Sequence, residues 1–224
     1  MATAFNLVLI FTLISNCFTT NLGPETSSLA GVISFSKSTG GSVPAKDALI
    51  WVKIPGHQPL RRLRVEKMNQ KNKEFEPRVM IAPTNTEIYF PNLDNIYHSI
   101  FSYNNFKKID LGKYKGKGKA VTFEKVGVYP IGCEIHPWMS AFVVIVDTPF
   151  YAKTGLQGNY LIRDLIPGKY TFELWSSSFK DQTSFEFELQ PGKNVFNWTA
   201  PLNLLKKKIK RRKTTKKSKF KGIY

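Results

Sequence analysis

The chain has 224 residues, 42% hydrophobic and 13% aromatic, which is enough for one or two packed cores and too apolar for a disordered chain. Its two cysteines exclude a disulfide-stapled scaffold. The formal charge is +17 at pH 7, but eleven Lys or Arg and no acid fall within residues 206–221 (KKKIKRRKTTKKSKFK), leaving +6 on the remainder. The excess belongs to one end of the chain, and no base-reading motif accompanies it, so no specific nucleic-acid recognition is expected.

Residues 4–14 (AFNLVLIFTLI) form an uncharged apolar run too short to span a bilayer, followed by small and polar residues up to 21. Residues 1–21 read as a secretory signal, although no Lys or Arg precedes the run, and imply an exported, periplasmic protein. Cys17, after Ile14-Ser15-Asn16, has the placement of a bacterial lipoprotein cysteine, with Asn16 where a smaller residue is usual. Cleaved or acylated, Cys17 leaves Cys133 without a disulfide partner.

The runs 29–35 (LAGVISF) and 48–54 (ALIWVKI) are β-branched and aromatic, flank the turn-rich residues 38–47, and predict a hairpin-like pair of strands. Runs of similar length at 63–68, 79–82, 87–90, 99–103, 121–124 and 141–146, punctuated by Pro, Asn or Gly, predict an antiparallel sandwich. Residues 141–146 (AFVVIV) show no polar alternation and predict a strand buried on both faces, whereas 122–125 alternate and predict one wet face. From 148 the texture changes. Gly158-Asn159-Tyr160 and Leu165-Ile166-Pro167-Gly168-Lys169-Tyr170 punctuate strands at 172–175 and 185–189, and Pro191-Gly192-Lys193 turns into a last run at 195–199. The predicted class is all-β, with two sandwiches. Residues 202–224 predict a basic, disordered tail that is either simply solvated or contacts an anionic membrane, lipopolysaccharide phosphates or an acidic partner.

The chemistry concentrates in residues 132–139 (GCEIHPWM), where Cys133, His136 and Met139 place a thiolate, an imidazole and a thioether at Cys-x2-His-x2-Met spacing. Two soft sulfurs and an imidazole within seven residues favour copper. His98, ahead of the run 99–103, offers a second imidazole that Greek-key connections can bring to the same loop. Two His and one Cys with a distant thioether suit both Cu(I) and Cu(II) with little rearrangement. Taken singly, Cys133 is equally a small buried hydrophobe and Met139 a core filler. Zinc accepts the thiolate and both imidazoles, but not the thioether. Pro137 and Trp138 serve either to pack the loop or as an apolar docking patch around the His136 edge. His57, in the turn Pro55-Gly56-His57, reads as a surface residue. Three histidines in all, without a Ser-His-Asp order or a second copper cluster, point away from an enzyme.

The ligand loop resembles that of plastocyanin and amicyanin-type cupredoxins, and is most similar in length to the amicyanin loop. Supporting stretches are Phe75-Glu76-Pro77, residues 88–94 (IYFPNLD) leading to His98, and residues 123–132 (FEKVGVYPIG) running into Cys133. The resemblance covers about residues 62–147 and implies a cupredoxin domain at 60–147. Ser99 stands where Asn usually follows the first histidine, and Asn85 where a turn Gly is common; Asn tolerates the left-handed backbone such a turn needs. The resemblance implies one type 1 copper held equatorially by His98, Cys133 and His136 and axially by Met139. It also implies electron exchange through the His136 edge with a redox protein such as an acidic cytochrome or oxidoreductase. Copper binding and delivery, or an envelope interaction module with an incidental metal, are the alternatives.

Residues 147–154 (DTPFYAKT) resemble the segment that follows the plastocyanin-like domain in proteins labelled as methylamine-utilisation proteins. The second unit resembles a carboxypeptidase regulatory-like, or transthyretin-like, sandwich, whose opening pattern matches residues 31–35 and 48–52. Residues 28–56 and 148–201 are therefore expected to form one sandwich interrupted by the cupredoxin, which requires Ile33 to meet strands from 148–200.

Overall fold

The computed structural model describes residues 25–54, 64–103 and 107–201. The expected signal with Cys17, the turn histidine His57 and the basic tail lie outside these residues. The described chain is all-β, and no helix in it is long and apolar enough to cross a membrane.

Three strands come first: β1 (Ser27–Ser36), β2 (Ser42–Pro44) and β3 (Leu49–Lys53). Ten strands follow: β4 (Arg64–Lys67), β5 (Asn69–Lys71), β6 (Glu74–Glu76), β7 (Val79–Pro83), β8 (Thr86–Asn92), β9 (His98–Tyr103), β10 (Lys108–Tyr114), β11 (Gly116–Phe123), β12 (Gly127–Gly132) and β13 (Ser140–Val146). The last six are β14 (Tyr151–Lys153), β15 (Asn159–Leu165), β16 (Gly168–Trp175), β17 (Thr183–Leu189), β18 (Gly192–Val195) and β19 (Trp198–Ala200).

Strands β4 to β13 build a sandwich of two sheets, one ordered β10-β9-β12-β13-β7 and the other β11-β8-β5-β6 with β4 beside β8. Inward side chains of both sheets, among them Met80, Ile88, Phe90, Ile100, Phe123, Tyr129 and Val143, fill its core. Strand β8 shows the underlying period of two, with Thr86, Ile88, Phe90 and Asn92 buried and the residues between them half-exposed. Asn85, which turns β7 into β8, takes φ 63°, the left-handed conformation that asparagine tolerates.

The outer segments of the chain build the second sandwich. One sheet places β1 between β15 and β18, with β2 and β19 also on β1; the other runs β14-β3-β16-β17. Ile33 of β1 stands opposite Trp198 of β19 in parallel register, and Leu29 opposite Ile162 of β15. Two small residues make the close approaches. Gly158 (φ 73°) lies where a Cβ would fall 2.2 Å from the Ile33 carbonyl oxygen, and its own carbonyl accepts the Ile33 N–H at 2.9 Å. Thr154, buried, donates its hydroxyl to the Ala45 carbonyl and accepts the Ala48 N–H at 2.8 Å, tying the end of the second segment to the first.

The runs at 29–35 and 48–54 do not form the hairpin their spacing suggests, because β1 and β3 lie in opposite sheets. Strand β3 is buried on both faces and needs two covers. Ile50 and Val52 face the core of their own sandwich, while Leu49 and Trp51 pack with Val79, Val144, Val146 and Trp175 between the two sandwiches. The same layer explains 141–146: Ala141, Val143 and Ile145 face one core and Val144 and Val146 the other.

Candidate metal centre

The site is assembled by the two central strands of one sheet. His98 opens β9, and Cys133 follows directly on β12, whose last residue Gly132 pairs with Phe101 of β9. His136 and Met139 lie on the loop between β12 and β13, which the Met139 N–H closes by donating to the His136 carbonyl at 2.9 Å. A Cβ at Gly132 would sit 2.6 Å from the Phe101 ring, so glycine here makes room for that ring beside the cysteine.

His98 (0% exposed) and Cys133 (3%) are buried, and His136 is half-buried at the surface. The three side chains bring one donor atom each within 4.8 Å of one another. His98 Nδ1 and His136 Nδ1 are 3.1 Å apart, and Cys133 Sγ is 3.9 Å from His136 Nδ1. Two donors share an ion only when their separation is below the sum of their bonds, about 4.0–4.4 Å for imidazole and thiolate donors at zinc-like bond lengths. Both separations meet that limit, and a donor set of one thiolate and two imidazoles suits a first-row transition metal rather than calcium or magnesium. Met139 (2% exposed) is buried in the same core cluster as Cys133, and the two line one open cleft of about 680 Å3.

Outer hydrogen bonds aim these donors. Asp94 Oδ2 stands 2.8 Å from His98 Nε2. With the His98 proton on Nε2 and donated to that carboxylate, the Nδ1 lone pair faces His136 Nδ1 at 3.1 Å, and two lone pairs at that distance call for a proton or a cation between them. Asp94 is itself held by the N–H groups of Asn72 (2.7 Å) and Lys73 (2.9 Å). Burial works to raise its pKa, but hydrogen bonds from Lys73, His98 and Asn72 together hold it below the ordinary carboxylate value. The His136 pKa is lowered, first by burial and then by electrostatic repulsion from neighbouring His98 and Lys73, against the opposing pull of Asp94. That favours the neutral imidazole, the form that ligates.

Ser99 reaches from β9 to the loop, accepting the Glu134 N–H at 2.9 Å with its hydroxyl 3.9 Å from Cys133 Sγ. The sequence marks Ser99 as a departure from the common pattern and gives Asp94 no role. The available signal is a carboxylate four residues ahead of a histidine, too frequent to single out without the fold. Pro137 and Trp138 are exposed, Trp138 at 62%, and the Trp138 ring lies 5.3 Å from that of His136.

No protein-family model matches the chain, and no curated protein does. Among solved structures it is similar to a purple cupredoxin from Nitrosopumilus maritimus, with 23% identity over 36% of this chain and 99% of that one and a TM-score of 0.32. It is also similar to the Cu(I) form of an amicyanin mutant, with 16% identity over 45% of this chain and all of that one and a TM-score of 0.35. A copper-containing nitrite reductase from Thermus scotoductus matches with 23% identity over 43% of this chain and a TM-score of 0.36, and the match spans a quarter of that enzyme.

Proposed function

We propose that the protein is an exported copper protein of the cupredoxin type that carries electrons through a mononuclear site made by His98, Cys133, His136 and Met139. The observation that carries this reading is the convergence of His98 Nδ1, His136 Nδ1 and Cys133 Sγ. A bound copper ion supplies a one-electron couple. Every other element of the function falls to the chain's own residues. Asp94 holds the His98 proton on Nε2, Ser99 ties β9 to the ligand loop, and burial leaves His136 the most exposed of the four residues. A donor set fixed by two strands and a closed loop changes little between oxidation states, which is the requirement for fast electron exchange. In this reading Met139 would add a thioether donor to the set, the half-buried His136 edge would be the exit, and the protein would be a carrier rather than an enzyme.

Export is part of the proposal and rests on the apolar run at 4–14; in an oxidising compartment a lone thiol then favours a metal ligand over a disulfide half. The second sandwich is read as a carboxypeptidase regulatory-like unit interrupted by the copper domain, a reading supported by Ile33 opposite Trp198 and by the Thr154 bonds across the two segments.

The visible spectrum of the Cu(II)-loaded protein tests the site. An intense thiolate-to-copper band is expected, and Cys133→Ser is expected to abolish it while the fold is kept; a native protein without that band overturns the reading. A band with no reversible redox wave and a readily exchanged metal would leave copper delivery as the function.

A further inference from the structure

The most strongly charged surface among the described residues is the edge formed by β10 and β11. Residues 107–125 hold seven lysines against two acids, Asp110 and Glu124. Each strand is the outermost of its sheet, and one residue, Lys115, joins them, so the chain passes from one sheet to the other along a single rim of the sandwich. Lys113, Lys115, Lys117 and Lys119 recur at every second position, whereas Tyr114 is buried between them and a Cβ on Gly118 would lie 2.5 Å from the Phe90 carbonyl oxygen. Positions 114 and 118 thus face the protein, and the four lysines are exposed. Among the described residues, none of these four, nor Lys108 or Lys125, makes an ion pair.

Protecting a sheet edge against pairing accounts for a lysine or two per strand, and the backbone irregularities at residues 110–113 and 116–119 already break these edges. Edge protection does not account for the aromatic end of the rim. Tyr103 of β9 is 54% exposed and stacks on Phe101 with ring centroids 5.1 Å apart, and the Lys108 ammonium lies 5.4 Å from the Tyr103 ring centroid. Phe101 in turn packs on Gly132, the residue before Cys133. The stack lines one cleft together with Pro130, Gly132, the buried Cys133, Glu134 and Pro137.

We infer that the β10–β11 rim and the adjoining Tyr103 cleft form a docking surface for an acidic protein. Positive charge collects and orients the partner, and the concave aromatic end receives a protruding part of it beside the backbone of Cys133. A flat lipid surface matches the charge but not the cleft. The surface adjoins the loop that carries His136, since Glu134, Pro137 and Met139 line the same cleft, and it deepens the electron-carrier reading by naming where a partner sits; it rests on that reading only for the purpose of docking.

Poly-L-glutamate serves as the acidic probe and phosphatidylserine vesicles as the lipid one, each added to the isotope-labelled full chain at about 0.01 M salt, where the screening length is about 30 Å. Polyglutamate is expected to shift the backbone amides of β10, β11, Tyr103 and Gly132. Triple replacement of Lys113, Lys115 and Lys117, by Gln in one variant and by Glu in another, is expected to weaken binding at those amides about tenfold, as is about 0.2 M salt. Shifts confined to the basic tail overturn the inference. So do vesicles that perturb the rim as strongly as polyglutamate does, which would assign it to lipid. Binding is read in metal-free and copper-loaded protein alike. A missing copper band therefore sinks the electron-carrier reading without touching the docking surface, and a silent rim with an intact band does the reverse.

Discussion

The two sandwiches are of one class but are built from different kinds of sequence. The sandwich of β4 to β13 is continuous in the chain and places polar groups deep inside, with His98, Ser99, Gln70 and Asn92 all buried. The sandwich of β1 to β3 and β14 to β19 is assembled from two distant segments around an apolar and aromatic core, and its buried polar side chains, among them Ser27, Thr154 and Asn194, bond to backbone groups that tie the segments and turns together. Phe185 stacks on Phe172 and Phe196, and Phe179 meets Phe35 and Trp198 edge-on. The difference follows from what each must hold. The first aims donor atoms by hydrogen bonds, which are directional, and the second clamps two ends of a chain chiefly by apolar burial, which needs area rather than direction.

The layer between them is where this contrast is most easily broken. Trp175 is buried, with its ring 5.2 Å from that of Phe142 on β13, and it covers the outer face of the strand that leaves the ligand loop. Trp175→Ala should cost about 3–5 kcal/mol. If the sandwiches support each other through this layer, one unfolding transition falls in both near-ultraviolet and copper-band melts; a copper band that melts unchanged while the rest falls would show them to be independent. A smaller effect is expected from Thr154→Val, which keeps the shape but strands the Ala45 carbonyl and the Ala48 N–H. Its expected cost is about 2–3 kcal/mol, read by chemical denaturation, with the copper spectrum of the folded protein unchanged.

Much of the sandwich of β4 to β13 is legible in the sequence because period-two burial is written directly into strands such as β8, and because Cys133, His136 and Met139 are close in the chain. Strand β10 escapes that reading: its outward lysines and the bulge near Gly112 hide the alternation, and only Ile109 and Tyr114 are buried. The two outer segments are harder still. Residues 29–35 and 48–54 look like neighbours in a hairpin, and nothing local says that one joins β15 and β19 while the other joins β14 and β16. His98 is assigned to the site through its topological position, not its spacing from the loop. Asp94 has no signal of its own, because its role exists only once β9 brings His98 over the loop.

Asp94 therefore gives the sharpest test of the polar side of the contrast, with the smallest expected change in stability. Its carboxylate accepts two backbone N–H groups and faces the His98 Nε2 proton, three donors around one acceptor group. In Asp94→Asn the amide oxygen still accepts part of this set, but the new NH2 must point at a donor or drive the His98 proton from Nε2 to Nδ1, toward His136. A loss of about 1–2 kcal/mol is expected at pH 7. The pH dependence has a fixed sign. The native pKa of Asp94 is depressed, so its contribution is complete above the unfolded value of about 3.9 and is lost as pH falls through the lower native value. The metal-free native protein should consequently lose stability more steeply than the Asn variant as pH is lowered below about 4, and the two should converge at the acid end. Parallel curves would show that the carboxylate charge does not hold His98. If the curves converge as expected and the variant also binds copper more weakly, the same hydrogen bond that stabilises the fold sets the tautomer of the ligand.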